Sequence, residues 1–258
     1  MGSFLNVLVL RMRDGESLRG RSRCPSCKKT LTAQELVPLL SFIAQKARCA
    51  GCRAKISWQY PLVELFAGLS YLLALWAVLS YALPKTPLNQ WFLILVFFIG
   101  IPAALIIVLT DTRWKIIPDW AVLGLGIVGA CATVLRSFQP SGAFTPAILW
   151  YDTGIAVILT AFLGSLWFFS HGRWMGFGDV KLIFATSLII GYPSALSAIL
   201  FAFWTGGIMG VFALAAQKKG LKHQIPFGPF ILLGAVLAYF FSDIFLFRSG
   251  LLEIFQLM

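Results

Sequence analysis

Trp91-Phe92-Leu93-Ile94-Leu95-Val96-Phe97-Phe98-Ile99-Gly100-Ile101-Pro102-Ala103-Ala104-Leu105-Ile106-Ile107-Val108-Leu109-Thr110 is a run of twenty residues without a charge, and Asp111 follows it directly. At 1.5 Å per residue, about twenty helical residues cross the roughly 30 Å hydrocarbon core of a bilayer. Further apolar runs stand at 62–82, 120–138, 149–170, 180–192, 195–215 and 226–247. In lipid the backbone must satisfy its own hydrogen bonds, which such runs do as helices. Composition agrees: 59% of residues are hydrophobic, 12% are charged, and mean hydropathy is +0.85. Soluble domains run at about 45–50% apolar and about 25% charged. A soluble enzyme, a disordered chain and a small disulfide-stapled scaffold are therefore excluded. The expected fold is an all-α polytopic membrane protein with about seven full transmembrane helices.

The net charge of +11 is unevenly spread. Between Arg11 and Lys55 stand eleven Lys or Arg against three acids (Asp14, Glu16 and Glu35), a local balance of +8. Beside membrane spans such a stretch reads as a cytoplasmic loop under the positive-inside bias, so no nucleic-acid partner is expected. With that loop inside, Arg113, Lys115, Arg173, Lys181, Lys218, Lys219 and Lys222 also fall inside, making eighteen of 21 basic residues. Lys85, Arg136 and Arg248 fall outside. The fifth run is short and ends at Gly191-Tyr192-Pro193, which reads as a tilted helix in a tight hairpin with the sixth.

Residues 1–12 are an apolar stub, either a truncated first helix or an interfacial segment. They are too short to span and lack the basic start and small-residue cleavage site of a signal peptide. Asn6 stands where a myristoylation signal needs Ser or Thr. Residues 13–60 form the basic, Cys-rich cytoplasmic segment and 61–258 the transmembrane domain.

Cys24-Pro25-Ser26-Cys27 and Cys49-Ala50-Gly51-Cys52 are two C-x-x-C turns separated by 21 residues. Each turn presents two thiolates, and two turns complete a tetrahedral shell for structural Zn2+, as in a zinc ribbon. Lys28, Lys29, Arg48 and Arg53 would offset the charge of four thiolates. Disulfides or metal-free thiols are the alternatives, the former disfavoured in the cytoplasm. Cys131, within an apolar run, reads as core filler.

Asp111 and Asp179 lie at the cytoplasmic ends of spans in this topology. Asp179 sits in Gly176-Phe177-Gly178-Asp179-Val180-Lys181-Leu182. Carboxylates at the edge of hydrocarbon are costly and usually functional. Two held close share a proton, so that one acts as base on water while the other donates to a carbonyl. Helix capping, or pairing with Arg113 or Lys181, is the competing reading. Asp119 reads as a helix-start residue, and Asp152 and Asp243 as capping or interfacial. Glu64 is a candidate partner for the basic segment, and His171 and His223 are solvated loop residues.

These residues resemble the type IV prepilin peptidases, which are bifunctional leader peptidases and N-methyltransferases of bacterial inner membranes. Gly2-Ser3-Phe4-Leu5-Asn6-Val7 with Arg11 is similar to the family's N-terminal signature. The paired C-x-x-C segment continues into Ile56-Ser57-Trp58-Gln59-Tyr60-Pro61-Leu62-Val63-Glu64-Leu65, similar to the close of the family's cytoplasmic domain. Asp111 precedes Pro118-Asp119 by seven residues, Gly176 to Leu182 follow G-x-G-D-x-K-L, and Pro226-Phe227-Gly228-Pro229 resembles a segment near the last helix. The resemblance implies that Asp111 and Asp179 are catalytic, with Gly176, Gly178 and Lys181 supporting them. It implies a prepilin or pseudopilin substrate, cut after Gly at the cytoplasmic face of the inner membrane. It also implies that the new N-terminus is then methylated from S-adenosylmethionine. No glycine-rich dinucleotide fingerprint points to that cofactor, and no methyl-transfer residue is assigned. The first family helix is shortened here, and Gln59 stands where the family often has Arg.

Three other readings stand beside this one. A peptidase without methyl transfer would share every motif. A proton-coupled transporter would use the two aspartates as a relay, but needs acids near mid-membrane and broken helices. A zinc-ribbon membrane scaffold without chemistry leaves the Asp-to-Pro spacing and the G-x-G-D motif unexplained.

Overall fold

Each apolar run that can be followed forms a helix. A computed structural model of the chain describes residues 2–13, 20–80, 92, 94–138, 143–216 and 226–248, arranged as two compact units, Met1–Leu83 and Pro84–Met258. Lys85, Lys218, Lys219, Lys222, His223, Asp14 and Glu16 lie outside the described residues, as do the start of the run at 91 and the side chain of Asp243.

In the first unit α1 (Gly2–Arg13) packs along α3 (Gln59–Ser80), with Leu5 and Val9 buried on one helix and Val63 and Ala67 on the other. The stub is thus a helix of 12 residues. Asn6, fully buried, accepts a 3.2 Å hydrogen bond from Gln59 Nε2. Between these helices in sequence lie the Cys-rich segment and the short α2 (Leu40–Ala44). Glu64 accepts a hydrogen bond from the Leu39 amide at 3.0 Å, so its partner is backbone rather than a cation of the basic segment. Leu39 has a φ of 60°, a conformation costly for a γ-branched residue, and the Glu64 carboxylate satisfies the amide exposed there.

The second unit holds α4 (Ile101–Trp114, entered through a π-helical turn at Val96–Gly100), α5 (Asp119–Ser137), α6 (Pro146–Ser170), α7 (Phe177–Ile190), α8 (Ser194–Ala216) and α9 (Gly228–Arg248). Among the described residues, four helices are long and apolar enough to cross a membrane: Val96–Trp114, Asp119–Ser137, Pro146–Ser170 and Ser194–Phe212. Gly228–Phe241 is a shorter apolar helix. No strand occurs among the described residues, only isolated bridges. Large apolar side chains such as Trp150, Phe169 and Phe212 are exposed, as expected where lipid is the solvent.

Helix α7 is the central piece. It packs against α5, α6, α8 and α9, and buries Val180, Leu182, Ile183, Ala185 and Leu188. Where α5 crosses it, an added β-carbon on Gly129 would stand 2.8 Å from Leu188 Cβ and 2.9 Å from the Ala185 carbonyl. Glycine there lets the two backbones approach, as small residues do between membrane helices.

The helix starts three residues before the expected run at 180–192. Gly176 is its N-cap, with the Asp179 amide donating to the Gly176 carbonyl at 3.1 Å. The glycine-rich motif is thus the first turn of the helix rather than the loop before it. At the other end Arg136 donates to the carbonyls of Leu188 (2.6 Å) and Ile189 (2.7 Å), the orphan acceptors of a helix C-terminus. Both ends of this 14-residue helix are fixed by side chains.

Candidate active site

Asp111 occupies the last turn of α4, which ends because Lys115 turns left-handed (φ 57°) and returns its amide to the Asp111 carbonyl at 2.9 Å. The connection Lys115–Pro118 then leads straight into α5. Asp111 is buried, and its Oδ2 accepts the Gly228 amide at 2.9 Å, which ties α4 to the first residue of α9. Lys115 is near enough to act electrostatically on the same carboxylate.

Asp179 is at the third position of α7, also buried, and its Oδ2 accepts the Gly176 amide at 3.2 Å. The capping reading is therefore correct for one oxygen. The other, Oδ1, is buried and has no hydrogen-bond partner among the described residues. A carboxylate needed only as a cap would not leave an acceptor stranded away from water, where it costs free energy. The two acids, 68 positions apart in sequence, lie within electrostatic reach of one another.

Ile117 joins the two sides. A β-carbon added to Gly178 would meet Ile117 Cβ at 2.9 Å, and one added to Gly228 would meet Asp111 Oδ2 at 2.7 Å and Ile117 Cδ1 at 3.2 Å. Both glycines beside the acids are required by close packing. Four segments therefore converge at one end of the second unit: the ends of α4 and its connection, and the starts of α5, α7 and α9.

Lys181 of the G-x-G-D-x-K-L motif pairs with Asp119, not with Asp179, and lies 5.3 Å from the Phe177 ring centroid. Asp119 is the first residue of α5, as expected, and its exposed carboxylate also reaches α7 through this pair. Arg113 stacks over Trp114 at 5.9 Å. His171 ends α6 in a left-handed conformation and is exposed. Cys131, expected as core filler, is exposed on the outer face of α5.

At the opposite end, Asp152 corrects its expected interfacial setting. It is 2% exposed and pairs with Arg136 (Nη2 to Oδ2, 2.8 Å), while its Oδ1 accepts the Tyr192 amide at 2.8 Å. Gly191, at φ 79°, brings the chain so close that a β-carbon would stand 2.8 Å from Asp152 Oδ1. The pair closes the hairpin between α7 and α8. No motif in the sequence links residues 136, 152 and 191, so only folding reveals it.

In the first unit the four cysteines converge, with their sulfurs all within 4.8 Å of one another and Cys24 to Cys52 at 3.9 Å. The two turns are copies of one device. Lys28 (φ 58°) returns its amide to the Cys24 carbonyl and Arg53 (φ 56°) to the Cys49 carbonyl, each at 2.9 Å. Backbone amides of Cys27 and Ser26 lower the Cys24 thiol to a pKa of about 6, against partial burial. Amides of Cys52 and Gly51 lower that of Cys49. Cys52 goes the other way: although the Ala54 amide lowers it, the neighbouring sulfurs and burial raise its thiol to about 11. Thiolates are the metal-binding form, and the four sulfurs are close enough together that they could hold a metal ion.

Comparison with known proteins then decides the family. The model for the bacterial peptidase A24 N-terminal domain matches residues 1–78, and that for the type IV leader peptidase family matches 98–211. The type 4 prepilin-like proteins leader peptide-processing enzyme of Escherichia coli O78:H11 is 32% identical over 272 aligned positions, covering 95% of this chain and 91% of that protein. The chain belongs to the type IV leader peptidase family. Two further members are similar, both called prepilin leader peptidase/N-methyltransferase. That of Bacillus subtilis is 29% identical, over 86% of this chain and 82% of the relative. That of Aeromonas salmonicida is 30% identical, over 86% and 72%. No solved structure matches.

Proposed function

We propose that this chain cleaves the leader from prepilins or pseudopilins after a glycine, using Asp111 and Asp179, and then methylates the new N-terminus. The observation that carries the peptidase reading is a pair of buried carboxylates, one with an unpartnered oxygen, each beside a glycine that packs on the same Ile117 side chain. The names borne by the family members give the substrate and the second activity.

The chemistry follows from the pair. One carboxylate accepts a proton from water as its oxygen attacks the scissile carbonyl carbon, and the other, protonated, donates to the carbonyl oxygen. Collapse of the tetrahedral carbon breaks the C–N bond. The departing nitrogen takes up a proton, leaving a leader carboxylate and a free amine. The Gly228 amide holds the Asp111 carboxylate in place through this cycle, and Gly176 does the same for Asp179.

Cys24, Cys27, Cys49 and Cys52 would hold a structural Zn2+ in a zinc-ribbon-like arrangement. Sulfurs about 2.3 Å from a tetrahedral zinc stand about 3.8 Å apart, and the 3.9 Å between Cys24 and Cys52 fits. For S-adenosylmethionine the first unit offers a buried donor, Asn6 Nδ2, and a buried acceptor, Gln59 Oε1, both without partners among the described residues. Those two groups would hold a polar part of the cofactor, whose contribution is a transferable methyl group.

The organisation we propose is residues 1–12 as N-terminal segment, 13–60 as cytoplasmic Cys-rich segment and 61–258 as transmembrane peptidase domain. Seven full spans in the bacterial inner membrane would place the Cys-rich segment and the aspartates on the cytoplasmic side, where a basic leader meets an apolar pilin helix in the bilayer.

Membranes containing the chain, incubated with a prepilin, should yield a shortened pilin whose mass marks cleavage after glycine. An intact prepilin, with the enzyme folded and inserted, would refute the reading.

A further inference from the structure

We propose that Ile117 is the residue that restricts the leader side of the scissile bond to glycine. The inference rests on Asp111 and Asp179 being the catalytic pair. Ile117 touches the glycine beside each acid: an added β-carbon would lie 2.9 Å from Ile117 Cβ at Gly178 and 3.2 Å from Ile117 Cδ1 at Gly228. Its side chain therefore borders the space that a peptide must enter to reach both carboxyl groups.

Its place in the chain says which side of the bond it meets. Ile117 belongs to the connection between α4 and α5, beyond the last turn of the apolar helix that carries Asp111. The apolar helix of the substrate remains with the helices, in lipid. The polar leader leaves on the side of the connections, so the last leader residue passes Ile117.

The wall is stiff for three reasons. Ile117 is β-branched, which restricts its first side-chain torsion. It precedes Pro118, which confines its own backbone to extended conformations. The connection is short, running only from Lys115, whose amide returns to the Asp111 carbonyl, to the start of α5 at Asp119. A methyl group on the last leader residue would have to displace a side chain that has little freedom to yield.

The test compares two forms of one prepilin, with Gly or with Ala before the scissile bond, cleaved by the full-length enzyme in membranes. One methylene in a tight pocket is worth about 10–200-fold in discrimination. The parent should prefer the Gly form within that range. Ile117→Ala should lower the preference about tenfold or more by raising kcat/KM for the Ala form. If Ile117 only supports the fold, Ile117→Ala lowers both rates together and leaves the ratio unchanged, which overturns the proposal. Should Ile117→Ala fail to accumulate, Ile117→Val takes its place, since loss of Cδ1 should lower the preference several-fold, and a parental ratio again overturns it. Cleavage by Asp111→Asn would instead refute the dyad, a result that does not depend on this ratio.

Discussion

Gly228→Ala should slow the enzyme markedly while leaving it folded. The added β-carbon would stand 2.7 Å from Asp111 Oδ2, 3.4 Å from Asp111 Cγ and 3.2 Å from Ile117 Cδ1. Comfortable contacts between such atoms begin at about 3.5 Å, so the carboxylate must shift by most of an ångström. That shift breaks the 2.9 Å hydrogen bond from the Gly228 amide. A hydrogen bond to a charged group is worth about 1.5–3 kcal/mol. At about 1.4 kcal/mol per tenfold in rate, its loss predicts about 10–150-fold lower kcat. Misplacing a catalytic group by about 1 Å gives a similar figure, about 100-fold. Alanine at the start of α9 should favour the helix by a few tenths to about 1 kcal/mol, which offsets only part of the cost of the clash and the lost hydrogen bond, so a modest fall in stability accompanies the loss of rate. The assay is prepilin cleavage at saturating substrate together with thermal unfolding in detergent. A kcat near the parental value, in folded protein, would refute the claim that Asp111 works from the position its Gly228 bond defines.

Three further outcomes are expected. Asp152→Ala should lower stability by about 2–4 kcal/mol, read as a lower unfolding midpoint in detergent, because it strands Arg136 against the end of α7; the side chain of Arg136 is 34% exposed, which keeps the loss below that of a fully buried pair. Purified protein should contain about one zinc per chain, falling sharply in Cys24→Ser or Cys49→Ser as measured by metal analysis, while leader cleavage falls less than the folding of the Cys-rich segment. Asp119→Asn should keep most cleavage activity and cost less than about 1 kcal/mol of stability, since Asp119 is 78% exposed and such pairs contribute little.

The parts of the fold written in local sequence were legible. Uncharged runs of about twenty residues admit few structures in lipid, and the two C-x-x-C turns fold the same way because each closes its own hydrogen bond. Asp111 and Asp179 stood out because acids are scarce in this chain and theirs interrupt apolar runs. What stayed hidden is whatever depends on packing between distant segments. Ile117 looks like any other apolar residue, yet it lies against two glycines 61 and 111 positions away. The Gly228 amide is a backbone group, with no side chain to announce it. Arg136 and Asp152 find each other only because α5 and α6 both pack on α7. The apolar run at 180–192 leaves out the first turn of α7, because Gly176, Gly178 and Asp179 add no hydrophobicity, whereas Gly176 caps the helix and Gly178 admits Ile117.

The central claim is that Asp111 and Asp179 act as one catalytic unit, and leader cleavage by Asp111→Asn, Asp179→Asn and the double variant tests it most directly. Asparagine keeps the shape of each side chain and can still accept the Gly228 or Gly176 amide, but it cannot take a proton from water. Each single variant should abolish cleavage, and the double variant should be no worse than either, because groups that act as a unit lose activity non-additively. Substantial cleavage by either single variant, in protein that is folded and inserted in the membrane, would contradict the claim.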